Sequence, residues 1–185
     1  MWRLVILKIN PKKELVSWGK TLIVALGIAF VIKTFLFAPY IVDGESMEPT
    51  LHDHEKIFVN KFNFNDHFNR GDIVIIKGKE KNYVKRVIGL PGDTIEVKKD
   101  QLFINGVLSK EPYLSHNLKL AKEMGNQLTD DFGPIKVPNN KYFVMGDNRL
   151  FSMDSRNGLG LILKEDIVGQ SEFVIFPFSQ IRNTK

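Results

Sequence analysis

The sequence predicts a mainly β protein, a distorted barrel or a pair of packed sheets, behind one N-terminal transmembrane helix. Residues 21–42 carry a single charge, on Lys33, and about 20 predominantly apolar residues suffice to cross a bilayer. Beyond them, short segments of β-branched and aromatic residues alternate with turns that contain Gly, Asn or Pro. The predicted organisation is a basic tail (1–20), an anchor (21–42) and a β-rich domain (43–185).

The anchor is predicted to be retained, with the N-terminus in the cytoplasm. Six Lys or Arg side chains precede residue 43 against one acidic side chain, and positive charge marks the cytoplasmic end of a span. Trp18 and Tyr40 lie where interfacial aromatic residues are expected. Cleavage as a secretory signal is disfavoured, because Pro39 follows the one small residue near the far end. We therefore expect a single-pass protein of the cell membrane, in contact with lipid, whose β-rich domain lies on the outer face.

Composition excludes several classes of function. The net charge is +5, but residues 43–185 hold equal numbers of acidic and basic side chains. A domain that binds nucleic acid is expected to carry a basic patch of its own, so no nucleic-acid partner is predicted. The absence of cysteine excludes disulfides, zinc–thiolate sites and cysteine nucleophiles. His52 and His54 lack an evident third ligand, so neither a metal nor another cofactor is expected.

The β-rich domain is predicted from runs of β-forming residues that are bounded by turn residues. The predicted strands are 56–62, 72–77, 83–88, 94–98, 102–104, 107–108, 141–145 and 173–178. Asn105 and Gly106 are predicted to form the turn of a hairpin between two of them. Residues 109–138 are predicted to be a long surface insertion with a short helix near 117–124.

Ser46 is the first candidate for chemistry, in the sequence Gly-Glu-Ser-Met-Glu-Pro directly after the anchor. Gly44 permits backbone angles that other residues avoid, and Pro49 stiffens the chain that follows. Met47 offers apolar contact beside the hydroxyl. The alternative is a serine in an ordinary polar linker.

A serine nucleophile needs a base, and one source is histidine. The four histidines are His52, His54, His67 and His116, none of them in a setting typical of catalysis. Asp53 lies between the first two. A Ser-His-Asp triad is recognised by geometry, so the sequence leaves one open.

Lys85 is the other candidate base, because it lies within an apolar predicted strand on the same face as Tyr83 and Val87. Burial disfavours the charged amine and lowers its pKa. A lysine with the ordinary pKa of about 10.4 is about 0.04% neutral at pH 7, whereas a pKa of about 8 makes it about 10% neutral. The alternative is an exposed strand lysine beside Arg86.

The third candidate segment is Gly146–Arg156, which follows a predicted strand, as functional loops often do. Ser152 is placed to hydrogen-bond and orient a lysine amine. Asp154 and Arg156 are placed to form an ion pair that fixes the loop. The alternative is a charged surface turn.

Taken together and in this order, three segments resemble the bacterial type I signal peptidases, in the compact form found in Bacillus. The segments are GESMEPTL around Ser46, residues 70–93 and residues 146–156, so the resemblance covers nearly the whole chain. Within each, the family's functional positions fall on named residues of this sequence.

The resemblance implies that Ser46 is the nucleophile and Lys85 the general base. It further implies that Ser152 positions the lysine and that Asp154 and Arg156 support the site. The family's oxyanion hole uses the backbone N–H of the nucleophile, and some members add a serine hydroxyl two residues earlier. That position is Gly44 here, so the side-chain donor is missing.

The implied reaction is hydrolysis of secretory preproteins after a small-x-small pattern, without a cofactor. Two other readings of the same residues stay open at this stage. A LexA-like Ser/Lys autoprotease shares the chemistry but predicts a DNA-binding N-terminus and no membrane span. A membrane-anchored β-rich binding module without catalysis predicts that Ser46 and Lys85 can be lost without consequence.

Overall fold

A computed structural model describes residues 11–31, 37–61 and 67–184 of the chain, and they form a mainly β fold, as predicted. The helices are α1 (Pro11–Val31) and α2 (Ser115–Glu123). The strands are β1 (Phe37–Ile41), β2 (Lys56–Asn60), β3 (Ile73–Ile76), β4 (Tyr83–Gly89), β5 (Thr94–Lys98), β6 (Gln101–Ile104), β7 (Val107–Ser109), β8 (Phe132–Lys136), β9 (Lys141–Met145), β10 (Ile162–Leu163), β11 (Ile167–Phe176) and β12 (Arg182–Asn183).

The strands form two antiparallel sheets. The larger sheet has the order β1-β2-β11-β3-β4-β9-β10, with β12 paired to β11, and the smaller has the order β7-β6-β5-β8. Register shifts interrupt the pairing of β4 with β9 and the pairing of β11 with β2 and with β3. Such bulges bend a strand and increase its twist, so the larger sheet is irregular along its central strands.

The core reaches directly under the first candidate segment. Met47 and Leu51, which lie just after Ser46, are fully buried. They belong to an apolar cluster on the larger sheet whose other members are Val42, Ile57, Val59, Ile73, Ile75 and Val174. Because a closely packed interior resists displacement, this anchoring fixes the backbone around Ser46 against β2 and β3.

The C-terminal boundary predicted for the anchor is wrong. The prediction carries the anchor to residue 42, whereas residues 37–41 form β1, which pairs with β2 along its whole length. Pro39 lies in this strand, and proline is tolerated there because β1 is an edge strand. Lys33 lies outside the described residues. Among the residues that are described, no helix combines the length and apolar character needed to cross a membrane.

The predicted insertion contains the expected helix and an unexpected strand. Helix α2 spans Ser115–Glu123, close to the predicted 117–124. Strand β8 pairs with β5 at the edge of the smaller sheet. Its sequence, with Gly133 and Pro134 side by side, is typical of a turn. The edge position tolerates it, because an edge strand leaves one row of N–H groups unpaired.

Candidate active site

Ser46 lies in a turn between β1 and β2, and this segment (residues 42–51) is called the serine turn below. Gly44 has a φ of +92° there, in a region that favours glycine because it lacks a Cβ. The backbone N–H of Gly44 donates to Asp53 Oδ1 at 2.7 Å. With Met47 buried on the other side, Ser46 is held at the surface of the larger sheet with its hydroxyl partly exposed.

Lys85 lies in the middle of β4 and is buried, with an exposed fraction of 2%. Its Nζ donates to Ser46 Oγ at 2.6 Å and to the carbonyl oxygen of Val84 at 3.0 Å. The alternative of an exposed strand lysine is therefore wrong. The strand pairing places Lys85 opposite Val74 of β3, a fully buried apolar residue.

Burial lowers the pKa of Lys85 to about 8, although the carboxylates of Asp154 and Asp147 act in the opposite direction. A pKa of about 8 leaves about 10% of the lysine neutral at pH 7. A neutral amine 2.6 Å from a hydroxyl can accept its proton. Ser46 and Lys85 therefore have the interatomic distance and the fraction of neutral amine that a nucleophile and its general base require.

Ser152 is brought beside the serine turn but does not make the expected hydrogen bond. Its side chain is buried, and within the described part of the chain its Oγ has no hydrogen-bonding partner. It packs against Gly146, where an added Cβ would collide with Ser152 Oγ and with the carbonyl oxygen of Ser46. The prediction that Ser152 contacts the Lys85 amine is thus not met in this structure.

The predicted ion pair between Asp154 and Arg156 is confirmed. Asp154 is fully buried and accepts from Arg156 Nε and Nη2, each at 2.9 Å. It also accepts the backbone N–H of Gly146 at 3.0 Å. Burial raises the pKa of Asp154, but these hydrogen bonds and the guanidinium charge outweigh burial and hold the pKa below its ordinary value. The carboxylate thereby joins the two ends of the 146–156 loop.

A cleft of about 240 Å³ opens at Ser46 and Lys85. The serine turn and β1 form one side, and residues 81–85 form the other. Ile75, Phe151 and Met153 complete the lining, and they make it partly apolar. Because β1 is an edge strand, its backbone is available beside the cleft for pairing with an extended chain.

Comparison with known proteins decides the family. A family model described as "Signal peptidase, peptidase S26" matches residues 15–176. The chain belongs to this signal peptidase family. Signal peptidase I of Bacillus amyloliquefaciens is 59% identical over 179 residues, covering 96% of this chain and 97% of that protein. Signal peptidase I S of Bacillus subtilis (strain 168) is 56% identical over 178 residues, covering 95% of this chain and 97% of that protein.

A solved structure agrees with this membership. The crystal structure of a signal peptidase I from Enterococcus faecalis V583 is 35% identical, with a TM-score of 0.51. The match covers 56% of this chain and 96% of that one. The resemblance to type I signal peptidases is confirmed, and with it the expected activity of a serine endopeptidase that cleaves signal peptides.

The histidines of this signal peptidase family member lie away from the Ser46 hydroxyl. All four are exposed at the surface or partly so. His52 lies 3.5 Å from Glu48, and His54 lies 3.3 Å from Asp53. No hydrogen bond between a histidine and Ser46 is present in residues 37–61 and 67–184. A search of the described residues for a metal-binding cluster of His, Cys, Asp and Glu found none.

Sequence reasoning missed a second buried ion pair, between Arg86 and Asp147. The Arg86 Nη2 and Asp147 Oδ2 atoms lie 2.6 Å apart, and both side chains are buried. Thr50 Oγ1 of the serine turn also donates to Asp147 Oδ2, at 2.5 Å. The guanidinium stacks on the ring of Tyr113 at 4.1 Å. A signal was available, since Asp147 lies in the 146–156 segment and Arg86 follows Lys85.

Asn117 of α2 is a second contributor that the sequence did not identify. Its Nδ2 donates to the carbonyl oxygens of Glu48, at 3.0 Å, and of Asp147, at 3.2 Å. The backbone N–H of Asn148 donates to the carbonyl oxygen of Ser46 at 3.1 Å. The serine turn, the 146–156 loop and the insertion are thus joined by direct hydrogen bonds.

Proposed function

We propose that this signal peptidase family member cleaves preproteins with Ser46 as the nucleophile and Lys85 as the general base. The observation that carries the proposal is the 2.6 Å hydrogen bond between Lys85 Nζ and Ser46 Oγ. The burial that lowers the pKa of the lysine to about 8 supports the same assignment. Neutral lysine takes the hydroxyl proton while Ser46 Oγ attacks the scissile carbonyl carbon.

The rest of the reaction uses the same two groups. The tetrahedral intermediate collapses when the protonated lysine returns a proton to the departing amine, which leaves an acyl-enzyme on Ser46. Neutral Lys85 then accepts a proton from the water that attacks the ester, and it returns this proton to Ser46 Oγ as the acyl–oxygen bond breaks. The backbone N–H of Ser46 is the proposed oxyanion donor, because Gly44 has no side chain to contribute. Loss of one donor costs about 3 kcal/mol of transition-state stabilisation in other serine enzymes.

Three residues are proposed to support this pair without taking part in bond making. Asp154 and Arg156 hold the 146–156 loop beside the serine turn through their buried ion pair. Ser152 lies in that loop with a buried, unpartnered hydroxyl. We propose that it donates to or accepts from the lysine amine during turnover, once the hydrogen bond of Lys85 to Ser46 is given up.

The proposed substrates are secretory preproteins with a small-x-small pattern before the cut. The edge strand β1 borders the cleft, so an extended chain can bind by strand addition. Ile75, Phe151 and Met153 give the cleft apolar surface that a small apolar side chain such as alanine can contact. An apolar signal sequence is itself embedded in the bilayer, so its cleavage site lies near the membrane surface.

The decisive experiment compares four forms of the purified full chain in detergent with a preprotein that carries an Ala-x-Ala site. The forms are wild type, Ser46→Ala, Lys85→Ala and the His52→Ala/His54→Ala double variant. We expect cleavage only by wild type and the double variant, because the histidines do not reach Ser46. Folded wild type that cleaves nothing supports the non-catalytic binding module, and an active Lys85→Ala variant beside an inactive histidine variant supports a Ser-His-Asp triad.

The N-terminal segment is proposed to anchor the enzyme in the cell membrane with the β-rich domain outside. Apolar side chains of α1 such as Leu22, Ile23 and Phe30 are exposed, as lipid-facing side chains would be. The basic excess before residue 43 favours a cytoplasmic N-terminus. Contact with membrane lipid also brings Ser46 close to a site on a bilayer-bound substrate.

This topology is testable because the chain contains no cysteine. Single cysteines are introduced as Lys8→Cys in the tail and Leu108→Cys on β7, and intact cells are treated with a membrane-impermeant maleimide. We expect labelling of the Leu108→Cys form alone, since only the β-rich domain is outside. Labelling of the Lys8→Cys form, or of neither form before lysis, contradicts the proposed orientation.

A further inference from the structure

A second groove of about 390 Å³ lies on the far side of the serine turn, between α2 and the 146–156 loop. Its floor is apolar and includes Ala121 and Leu128, which belong to a small core cluster of the insertion. Its walls carry the exposed side chains of Leu120, Met124 and Leu150. Neither the catalytic pair nor its supporting residues line it.

The groove lies beside the catalytic cleft and shares one lining residue with it. Phe151 lines both, and its side chain is 75% exposed between them. Glu48 and Pro49, two and three residues after Ser46, form the edge of the groove nearest to the nucleophile. Residues of the chain up to Ser46 line the cleft, and residues from Glu48 onwards line the groove, so the two depressions meet at the serine turn.

An endopeptidase must accommodate substrate on both sides of the bond that it cuts. If the residues before the cut occupy the cleft, the residues after it leave on the other side of Ser46. An extended chain advances about 3.3 Å per residue. A groove that begins at Glu48 is therefore within reach of the first few residues after the cut.

We propose that this groove binds the first residues of the mature part of the preprotein and favours an apolar side chain there. The proposal rests on the proposed function, and deepens it by assigning a specificity site for the mature side. The exposed apolar walls supply the binding free energy, since burial of apolar surface against an apolar side chain is favourable. The ionisable groups that line the groove are Glu48, His52 and His116. Glu48 is half-buried and both histidines are exposed, so an apolar side chain in the groove would not be placed against a buried charge.

The test uses two preproteins with the same signal peptide and the same Ala-x-Ala site. One carries leucine at the third and fourth mature positions, and the other carries serine there. The full chain in detergent is assayed for kcat/KM on both. We expect wild type to prefer the leucine substrate about tenfold, a discrimination that apolar pockets commonly reach.

Groove variants are then compared by the same ratio. Leu120→Gln and Met124→Gln are expected to reduce the preference to about twofold or less, because each removes apolar surface from the wall. Leu108→Gln is the matched control, since Leu108 is a leucine on β7, outside the groove, whose exposed fraction lies between those of Leu120 and Met124. It should keep the wild-type preference. A ratio measured within one enzyme form is independent of how much of that form is active.

Two results overturn the inference while leaving the proposed function intact. Wild type could cleave both substrates with the same kcat/KM, or the groove variants could keep the full preference. Cleavage of neither substrate by folded wild type, in contrast, removes the proposed function itself. If the preference falls by the same factor in Leu108→Gln as in the groove variants, the groove does not cause the preference, and the inference is overturned as well.

Discussion

The Lys85→Met variant is expected to lose cleavage by at least about a thousandfold, as removal of a catalytic base does in serine enzymes, and to be more stable than wild type at pH 7. The activity is lost because methionine cannot accept the proton of Ser46 Oγ. The stability rises because the lysine is charged and buried in wild type, and burial lowers its pKa from 10.5 to about 8. Methionine fills a similar volume without a charge to desolvate.

The pH dependence follows from the sign of this shift. Below pH 8 the lysine is charged in both the folded and the unfolded chain, and the cost of burying the charge is fully present. Between pH 8 and pH 10.5 the folded protein releases the proton first, so wild type gains stability as pH rises. A pKa difference of this size corresponds to about 3 kcal/mol in the free energy of unfolding. Two hydrogen bonds of the lysine are lost as well, so the net gain at pH 7 is about 1–2 kcal/mol.

Thermal unfolding of the full chain in detergent, followed by near-ultraviolet circular dichroism at pH 7 and pH 10, measures this difference. The melting temperature of Lys85→Met should exceed that of wild type at pH 7, and the order should reverse at pH 10, where the neutral lysine no longer carries a buried charge and its hydrogen bonds remain. Lys81→Met is the matched control, because Lys81 is exposed at the same cleft and should change the melting temperature little. A Lys85→Met variant less stable than wild type at pH 7 contradicts a costly buried charge.

The contact between Ser46 and Lys85, the proposed catalytic pair, was predictable because these residue types are unusual where they stand. A lysine in the apolar run of β4 and a serine between glycine and proline both contradict their local surroundings, and functional sites are where such conflicts are expected. Their contact joins residues 39 positions apart in sequence. No local pattern specifies such a contact, which depends on the pairing of β3 with β4 and on the buried Met47.

Other parts of the site could not be predicted from the sequence, because they too depend on contacts between residues that are far apart in the chain. Strand alternation assigns Lys85 and Arg86 to opposite faces, yet both are buried. The serine turn contacts Lys85, and Asp147 and Tyr113 contact Arg86. The charge of the guanidinium is paired with Asp147, which is 61 residues away in sequence. Strand β1 was hidden by its apolar composition, since an edge strand and the end of a membrane span can share the sequence FAPYI.

The Asp154→Asn variant is expected to lose about 3 kcal/mol of stability at pH 7, because breaking a buried pair leaves an uncompensated charge. The asparagine keeps the shape of the side chain but leaves the guanidinium of Arg156 partly buried without its anionic partner. Since the folded protein holds the pKa of Asp154 below its ordinary 3.8, the carboxylate stabilises wild type above that pH. The stability difference should therefore shrink as pH falls through the acid range. Urea unfolding at several pH values measures it.

The Asp154→Asn variant should also shift the pH profile of catalysis towards acid. The Asp154 carboxylate is the largest of the charges that raise the pKa of Lys85, so its removal lets burial lower that pKa further below about 8. The free-enzyme limb of kcat/KM, which rises with pH as the lysine loses its proton, then moves to lower pH. A purely structural role for Asp154 reduces kcat/KM by the same factor at every pH and leaves the limb in place.

The Asp154→Asn/Arg156→Met double variant separates the two effects. With both charges removed, no unpaired ion is left buried, so most of the lost stability should return. The Asp154 charge raises the pKa of Lys85 by more than the Arg156 charge lowers it, so removal of both should leave a smaller acid shift of the profile. A double variant that regains stability and also regains the wild-type pH profile would show that Asp154 acts on the loop alone. If the double variant is stable and the rising limb of its kcat/KM profile is not shifted, burial sets the pKa of Lys85 and the Asp154 carboxylate does not contribute.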